Sequence, residues 1–510
     1  MVDKAEIRSN NSRIAKNTIM LYVRMLFTMG VTLYTSRVVL KALGIEDFGI
    51  YNVVGGIITM FTFVNGGLLA ATQRYITFEI GKGNIERLKS VFSSSLQIHA
   101  ILSLIIFVLG ETVGLWFLLN KLVIPEVRLF AAMCVYQCSI ISCIVNIMSV
   151  PYNADIIAHE KMSAFAYISI VEVTLKLAIV FLLVSLPWDR LIVYAVLLLL
   201  SQLVIRFIYA YYCKTHFIES KYNNHFDKKL LKEMLCFAGW SFWGSVSTIL
   251  YTQGLNILLN MFYGPIVNAA RGIAIQVQGA VQQFVSNFQM ALNPQITKTY
   301  AWGEIEQMHN LMFRSARFSF FLLYFLSLPL FLELKFVLNI WLGDVPVDTI
   351  VFTQIMLAIS LLYTIINPCV IANQATGKVK MYQAVVGGLL LLVVPISYIV
   401  LKLGAPAYSV FIVHFLVECL AQFARMVILR EQINLKVCQY FKNIYFQIFS
   451  VIVLSILLPL YVKSLLQEGW FRFILVGFSS VFSVSVSVFV FGFTKHEREF
   501  ILHKIFSYIK

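Results

Sequence analysis

The chain has 510 residues, of which 59% are hydrophobic and 13% are charged, and its mean hydropathy is +0.81. A soluble globular domain carries about 25% charged residues, so this composition excludes that class. The formal net charge is +15, but the Lys and Arg residues are spread over many short polar connections. Nucleic-acid binding is not expected, because no basic domain outside the apolar segments is present.

About fourteen apolar segments of roughly 20 residues follow one another along the chain. An apolar helix of that length crosses the roughly 30 Å hydrocarbon core of a bilayer. We therefore predict an all-α, polytopic membrane protein with about 14 transmembrane helices. The segments, numbered in chain order, are 17–37, 48–70, 91–119, 127–150, 164–186, 190–212, 235–259, 267–290, 314–333, 350–371, 383–401, 407–427, 444–463 and 471–493.

The basic residues also predict the orientation of the chain. Lys and Arg are concentrated in the N-terminal stretch and in every second connection that follows it. Short loops of this kind stay in the cytoplasm, so we expect both termini on the cytoplasmic side. The first segment is too long for the apolar region of a signal peptide, and we expect it to remain as an uncleaved span.

The sequence offers no catalytic or metal-binding pattern. It lacks a Walker Gly-rich loop, a nucleophile elbow and an H-E-x-x-H arrangement. The eight cysteines include no C-x-x-C pair. Cys134, Cys138 and Cys143 share one segment, but their neighbours are apolar and no His accompanies them. We therefore predict no enzymatic activity, no metal site and no cofactor, and we do not expect transport driven by ATP hydrolysis on this chain.

An internal repeat runs through the chain at an offset of 220 residues, which becomes 217 further along. Gly83–Glu86 falls on Gly303–Glu306, and Pro151 falls on Pro368. Composition alone explains matches between apolar helices, but it explains the polar Gly-x-Ile-Glu match poorly. Further matches are Gly44 with Gly264, Ala158 with Ala375 and Lys161 with Lys378.

Segments 1–6 thus match segments 7–12 in the same membrane orientation. This duplication predicts two pseudo-symmetric six-helix lobes that rock around a central cavity, as in transporters built from parallel repeats. Segments 13 and 14 have no counterpart and form an appended pair. The predicted parts are an N-terminal lobe at 1–212, a cytoplasmic linker at 213–234, a C-terminal lobe at 235–430, and the helix pair with a cytoplasmic tail at 431–510.

Segment 8 carries a stripe of amide side chains at helical spacing. Lipid cannot satisfy amide groups, so the stripe must face protein or water. It forms either a hydrogen-bonded seam with another helix or the wall of a water-filled cavity, and we prefer the cavity. The polar wall would comprise Asn268, Gln278, Gln282 and Gln289 in segment 8, Gln253 and Asn256 in segment 7, and Asn52 and Asn65 in segment 2.

Three arginines in apolar segments 1 and 8 are candidates for the same cavity. A charge at the bilayer centre costs about 2.5–3.5 kcal/mol, so it needs a partner, water or access to the membrane surface. Arg24 lies about two turns inside segment 1, Arg37 lies near the far end of that segment, and Arg271 lies within the amide stripe. For Arg24, snorkelling to the membrane surface is the alternative.

Other titratable residues in the apolar segments are candidates for coupling to H⁺ or Na⁺. Two pairs have a spacing of four residues, which places both members on one helix face, where mutual neutralisation is the alternative role. The candidates are Glu111, the pair Glu172 and Lys176, and the pair His414 and Glu418.

Five stretches carry a family resemblance: Ser36–Val54, Ala71–Asn84, Pro151–Phe165, Asn293–Ala301 and Gln374–Lys378. They resemble Wzx-type lipid-linked oligosaccharide flippases, which belong to the multidrug/oligosaccharidyl-lipid/polysaccharide exporter (MOP) superfamily. The resemblance covers essentially the whole chain. It implies two lobes arranged as a V that work by alternating access.

The resemblance also implies a substrate and its site. The substrate would be a polyprenyl-diphosphate-linked O-antigen or capsule unit, moved from the cytoplasmic to the outer leaflet of the bacterial inner membrane. The diphosphate would lie at Arg24, Arg37, Arg74 and Arg271, and segments 13 and 14 would help to hold the polyprenyl tail. Membrane lipid and polysaccharide assembly proteins are the other partners that the resemblance suggests.

Three alternatives remain open from the sequence: a lipid-II-like flippase, a cation-coupled multidrug antiporter and a membrane enzyme such as a polysaccharide polymerase. The antiporter needs an unpaired acid facing the cavity, for which Glu111, Glu172 and Glu418 are the candidates. The enzyme needs a sizeable outside loop bearing acids, His or Arg, and the outside connections are short.

Overall fold

The fold was analysed in a computed structural model. It describes residues 17–31, 34–35, 38–39, 42–44, 47, 50–51, 54, 65–120, 124–185, 187–221, 227–342, 345–346, 348–494 and 497–499. Regular secondary structure in these residues is entirely helical, which confirms the all-α class. The chain divides into two compact units, Met1–Ser245 and Val246–Lys510.

The first unit is built around a long central helix, α5, which packs on α2, α3 and α7. A π-helical turn at Gly110–Gly114 separates α3 from α4, and the Tyr136 hydroxyl of α5 donates to the Gly110 carbonyl at 2.6 Å. The Gly110 carbonyl also accepts from the Leu115 N–H of the turn, so the Tyr136 hydroxyl ties the irregular turn to α5. The helices are α1 (within 17–31), α2 (Asn65–Lys82), α3 (Ile85–Leu109), α4 (Leu115–Asn120), α5 (Leu129–Ala158), α6 (Met162–Ser185) and α7 (Arg190–His216).

The boundary between the units falls inside α8 (Lys228–Tyr263), a continuous helix of 36 residues. Because α7 continues to His216 and α8 begins at Lys228, parts of the predicted linker 213–234 are helical. The second unit continues with α9 (Pro265–Ala301), α10 (Ile305–Leu332), α11 (Leu334–Leu342), α12 (Thr349–Thr376), α13 (Val379–Leu391), α14 (Val393–Lys402), α15 (Ser409–Ile433), α16 (Val437–Tyr440), α17 (Gln447–Leu465) and α18 (Trp470–Ser487).

Ten helical stretches among the described residues are long and apolar enough to cross a membrane. They correspond to predicted segments 3–6 and 9–14. Segments 7 and 8 form α8 and α9, whose polar side chains lower their hydropathy below that of the other spans. Parts of segment 1 and most of segment 2 lie outside the described residues, so the number fourteen stays a prediction.

The internal repeat has a counterpart in the backbone. Gly44 and Gly264 have φ values of 80° and 78°, and Gly83 and Gly303 have values of 71° and 79°. A positive φ is costly for residues with a Cβ atom, so glycine at matched left-handed positions reflects a shared turn. Further along, Glu160 matches Gly377, and their φ values are 59° and 75°. The matched turns of the two halves therefore share a positive φ at the corresponding residue.

The appended helices α17 and α18 pack on each other and on α10. Ion pairs fix the two ends of this arrangement. At one end, Arg472 on α18 pairs with Glu333 at 2.8 Å, just beyond α10. At the other end, Arg317 on α10 pairs with Glu497 at 3.0 Å, beyond α18. The helix pair is thus an integral part of the second unit.

Candidate functional site

In the first unit, Arg24 on α1 is a partly buried cation that lies against an aromatic ring. Its guanidinium carbon is 4.5 Å from the centre of the Phe165 ring on α6. Glu172 and Tyr209 lie near enough to interact with it electrostatically. Among the described residues, however, no carboxylate lies within ion-pair distance of Arg24, and its buried Nε has no hydrogen-bond partner. An anion could therefore bind this guanidinium.

Two further arginines of this unit also contact aromatic rings. Arg74 on α2 lies over Tyr75 and Phe78 at 4.5 and 4.6 Å. Arg206 on α7 lies 4.0 Å over the Tyr152 ring, and its buried Nη1 has no hydrogen-bond partner among the described residues. The sequence placed Arg206 in segment 6 but gave it no role. Its signal was the same as that of Arg24, a lone cation in an apolar run.

In the second unit, Arg271 on α9 is 7% exposed. Its Nη2 donates to the Thr252 carbonyl of α8 at 2.7 Å, while its buried Nε has no partner among the described residues. A backbone carbonyl is a neutral acceptor, so it does not cancel the charge. Within the described part of the chain, Arg271 is thus a buried guanidinium without a paired carboxylate, as is fitting for a site that binds an anion.

Beside Arg271 lies a chain of aromatic hydroxyls that ends at His414. Tyr251 and Tyr363 share a hydrogen bond of 3.0 Å, and Tyr363 contacts His414 Nε2 at 3.1 Å. These residues come from α8, α12 and α15, which are far apart in sequence. The sequence identified His414 but not the two tyrosines, because their hydroxyls are recognisable only once the helices are packed.

Glu418 pairs with an arginine that the sequence did not single out. Arg425 Nη1 lies 2.9 Å from Glu418 Oε2, and its Nε donates to the Tyr382 hydroxyl at 3.0 Å. Glu418 and Arg425 are 2% and 3% exposed. The predicted pairing partner of Glu418 was His414, but the hydrogen-bonded partner is Arg425. The seven-residue spacing, two turns along one face of α15, was the signal that could have revealed it.

The other predicted acids also have partners. Lys176 Nζ donates to Glu172 Oε1 at 2.6 Å, as the spacing of four residues predicts. Glu111 lies in the π-helical turn and accepts a hydrogen bond of 3.2 Å from Gln137 Nε2 on α5. These contacts favour structural roles, and coupling to H⁺ or Na⁺ stays a prediction.

The amide stripe of α9 divides into two parts. Gln278 Nε2 donates to Ser360 Oγ at 2.9 Å, and Gln289 Nε2 donates to the Thr364 carbonyl at 3.0 Å, both on α12. This part is the inter-helix seam that was the alternative interpretation. Buried side-chain oxygens of Asn268 and Gln282 have no hydrogen-bond partner among the described residues. Here the cavity interpretation stays a prediction.

The structure describes some of the remaining predicted wall residues but not all of them. On α8, Gln253 is exposed and Asn256 is half-buried. Arg37, Asn52 and the side chain of Asn65 lie outside the described residues. The structure therefore describes three of the four predicted arginines. Arg24 and Arg74 lie in the first unit, and Arg271 lies in the second.

Known proteins resemble this chain both in sequence and in fold. Residues 14–300, more than half of the chain, match the family described as "Polysaccharide biosynthesis protein". The chain belongs to this family. No curated protein sequence matches it.

Solved structures show which fold this member of the family adopts. A MATE transporter in the straight conformation is 16% identical, with a TM-score of 0.70 over 83% of this chain and 96% of that one. An outward-facing multidrug resistance MATE family transporter of the MOP superfamily is 16% identical, with a TM-score of 0.69 over 82% and 96%.

A third structure is that of a MOP superfamily transporter from Pyrococcus furiosus, described as having a binding pocket of reverse polarity. It is 16% identical, with a TM-score of 0.64 over 82% of this chain and 96% of that one. The polysaccharide biosynthesis protein thus has the fold of MOP-superfamily transporters, and the resemblance inferred from the sequence is confirmed. The ten long apolar helices in the described part of the chain indicate a multi-pass membrane protein.

Proposed function

We propose that this protein moves polyprenyl-diphosphate-linked oligosaccharide units, precursors of O antigen or capsule, across the bacterial inner membrane by alternating access. The observation that carries the proposal is Arg271, a buried guanidinium with one backbone carbonyl as its acceptor and no paired carboxylate among the described residues. In the first unit, the partly buried Arg24 also has a buried Nε without a hydrogen-bond partner and no paired carboxylate among the described residues. Membership of a polysaccharide biosynthesis family supports the substrate class.

The chemistry of such a substrate fits these side chains. Its diphosphate is an anion that cannot cross hydrocarbon unaided, whereas its polyprenyl tail need not leave the lipid. Arginine can donate two parallel, charge-assisted hydrogen bonds to phosphate oxygens. Amide groups both donate and accept, which suits the hydroxyl groups of sugars. The substrate is taken up from the cytoplasmic side, where we expect both termini to lie.

The second candidate is a cation-coupled multidrug antiporter, which the likeness to a multidrug resistance MATE transporter favours. At 16% identity this likeness concerns the fold rather than the substrate. Such an antiporter needs an acid free to exchange its cation. Glu172, Glu418 and Glu111 all have hydrogen-bonding partners in the described part of the chain. Glu418 in particular is held by Arg425, so the flippase is the better-supported function.

The two functions differ in the substrate that crosses the membrane. Purified protein would be reconstituted into vesicles with a fluorescent polyprenyl-diphosphate oligosaccharide, and separately with a fluorescent cationic drug under a proton or sodium gradient. We expect the lipid-linked oligosaccharide to reach the opposite leaflet, and the drug to show no gradient-dependent uptake. Drug uptake without oligosaccharide translocation would overturn the proposal in favour of the antiporter.

A further inference from the structure

Three potential metal ligands converge where α5 ends and the chain leaves α7. His159 follows the last turn of α5, Asp155 lies one turn before it, and Glu219 lies three residues after α7. One donor atom from each lies within 4.8 Å of the other two. His159 Nε2 is 3.7 Å from Asp155 Oδ1 and 2.5 Å from Glu219 Oε1. Donors around a zinc ion at about 2.0–2.2 Å lie roughly 3.3 Å apart, so small side-chain rotations would place all three around one ion.

One oxygen in this cluster lacks a partner. Asp155 is fully buried, and its Oδ1 has no hydrogen-bond partner among the described residues. An unsatisfied buried carboxylate oxygen is costly, and two neighbouring carboxylates repel each other when both are ionised. Arg206 does not relieve this, because its guanidinium stacks on Tyr152 and donates to neither carboxylate in the described structure. A bound cation would satisfy the free oxygen.

The residues around the cluster hold its ligands as neighbours of metal ligands do. Ser220 Oγ donates to the other carboxylate oxygen of Asp155, Oδ2, at 2.6 Å. The Phe217 ring stacks on the His159 imidazole, with centroids 4.1 Å apart and planes inclined by 7°. Such contacts fix the orientation of the Asp155 carboxylate and the His159 imidazole.

The duplicated half shows that the helix ends pack without these ligands. At the offset of 217 residues, Asp155, His159 and Glu219 correspond to Ala372, Thr376 and Lys436. The Thr376 hydroxyl there donates to the Asn373 carbonyl at 2.7 Å. The corresponding corner of the second half thus forms with Ala, Thr and Lys at these positions, and the three potential ligands of the first unit call for a separate explanation.

We propose that Asp155, His159 and Glu219 bind a divalent first-row transition metal ion that joins the end of α5 to the segment after α7. One imidazole nitrogen and two carboxylate oxygens suit Zn²⁺ or Mn²⁺ better than Mg²⁺, which prefers oxygen and water ligands. A water molecule completes the coordination. The sequence did not predict this site, because Glu219 comes from a segment 60 residues beyond His159 in the chain.

The test is metal binding to the full-length protein, purified in detergent after treatment with a chelator. Zn²⁺ would be titrated in competition with a fluorescent chelator, and Co²⁺ would report the coordination geometry through its visible absorption. We expect one tightly bound ion per chain, and a loss of affinity of about 100-fold or more in His159→Gln and Glu219→Gln. Ser220→Ala, which removes a supporting contact, should cost about 10–100-fold.

The matched control is His216→Gln, which removes an exposed imidazole that contacts Thr215 and the Tyr212 carbonyl. This variant should bind Zn²⁺ as the wild type does. Thermal unfolding with and without Zn²⁺ provides a second measurement, since the ion should raise the melting temperature of wild type but not of His159→Gln. Absence of stoichiometric binding by wild type, or unchanged binding by His159→Gln, would overturn the proposal.

Discussion

At the scale of single residues, four arginines in the described helices differ in whether a carboxylate pairs with them. Arg24 and Arg271 have unpaired N–H groups and no ion-pair partner among the described residues. Arg425 and Arg317 are buried against carboxylates, at 2.9 Å from Glu418 and 3.0 Å from Glu497. A paired arginine stabilises the packing of its helices, whereas an unpaired one still has donors to offer a ligand.

This division predicts the cost of breaking the Glu418–Arg425 pair. Glu418→Gln or Arg425→Met leaves the other charge buried without its counterion, so each should lower the free energy of unfolding by about 3–5 kcal/mol. The double variant should lower it by less than the sum, because it leaves no lone charge. The measurement is denaturant unfolding of detergent-solubilised protein.

Glu172→Gln serves as the matched control, since its pair with Lys176 is partly exposed, with side chains 33% and 41% accessible. It should change the free energy of unfolding by about 1 kcal/mol or less. If Glu418→Gln were as stable as wild type yet abolished the ion dependence of transport, Glu418 would be a coupling site and the structural assignment would be wrong.

The sequence revealed the cations but not their partners. A charge within an apolar run is visible in the chain itself, which is how Arg24 and Arg271 were found. Their surroundings come from other helices. Phe165 lies on α6, and Thr252, which accepts from Arg271, lies on α8. No periodicity specifies such contacts, so the sequence could not separate free from paired charges.

At the scale of helices, close packing of α2 on α8 depends on a glycine. A Cβ atom added at Gly67 would lie 3.0 Å from both the Ala238 carbonyl oxygen and the Phe242 nitrogen. Both contacts are backbone atoms, which cannot rotate away. By contrast, a Cβ atom at Gly272 on α9 would meet nothing within 4 Å.

Substitution by alanine should therefore affect the stability of the protein differently at these two positions. Alanine gains about 1 kcal/mol of helix propensity over glycine at either site, so the difference between Gly67→Ala and Gly272→Ala isolates the steric cost. We expect Gly67→Ala to be less stable than Gly272→Ala by about 1–3 kcal/mol in denaturant unfolding. Equal stabilities would show that α2 and α8 do not pack as closely as described.

A second prediction at this scale concerns the segment after α18. Burial alone would raise the pKa of Glu497, but the charge of Arg317 and the Thr494 N–H outweigh it, so its pKa lies below its usual value. A carboxylate with a lowered folded-state pKa contributes stability above its unfolded pKa of about 4.5. That contribution is lost as the pH falls through the folded pKa.

The glutamine in Glu497→Gln cannot ionise, so this variant should lack the stability that the ionised Glu497 carboxylate contributes and that acid removes. We expect the melting temperature of wild type to fall more steeply below pH 5 than that of Glu497→Gln, measured by thermal unfolding across a pH series. Glu306→Gln, which removes an exposed acid on α10, should follow the wild-type curve. Parallel curves for wild type and Glu497→Gln would contradict the ion pair with Arg317.

Helix positions followed from hydropathy, whereas helix ends and irregular turns did not. Segment 9 was predicted at 314–333, but α10 begins at Ile305. The first turns of α10 contain polar residues, so a segment defined by its apolar residues leaves them out. The π-helical turn at Gly110–Gly114 is held by a hydrogen bond from Tyr136, a residue of another helix. Hydropathy reports the lipid-exposed length of a helix, not its hydrogen-bonded length.

At the scale of the whole molecule, the fold class and the duplication were recoverable from the sequence. Apolar runs of span length dictate helices in lipid, and the polar turns of the repeat keep the positive-φ glycines Gly83 and Gly303. The course of water through the protein was not recoverable. It depends on which amides face another helix. On α9, Gln278 and Gln289 bond to α12, whereas buried oxygens of Asn268 and Gln282 have no partner among the described residues.

Thiol labelling tests where water meets α9. Gln276 and Gln283 are exposed. We expect them to face water, because hydrocarbon cannot satisfy amide groups. Gln289 is 3% exposed and bonded to α12. In a background without native cysteines, Gln276→Cys and Gln283→Cys should react with a membrane-impermeant thiol reagent, and Gln289→Cys should not. Uniform protection of all three would contradict a water-filled face on α9.

The central claim is that unpaired arginines bind the diphosphate of a lipid-linked oligosaccharide. The most direct measurement is translocation of a fluorescent polyprenyl-diphosphate oligosaccharide in reconstituted vesicles by wild type, Arg24→Ala, Arg271→Ala and the exposed control Arg430→Ala. Loss of one charge-assisted contact of about 1.5–3 kcal/mol predicts a fall of roughly 10–100-fold in either cavity variant, with Arg430→Ala unchanged. Full translocation by folded Arg24→Ala and Arg271→Ala would contradict the claim.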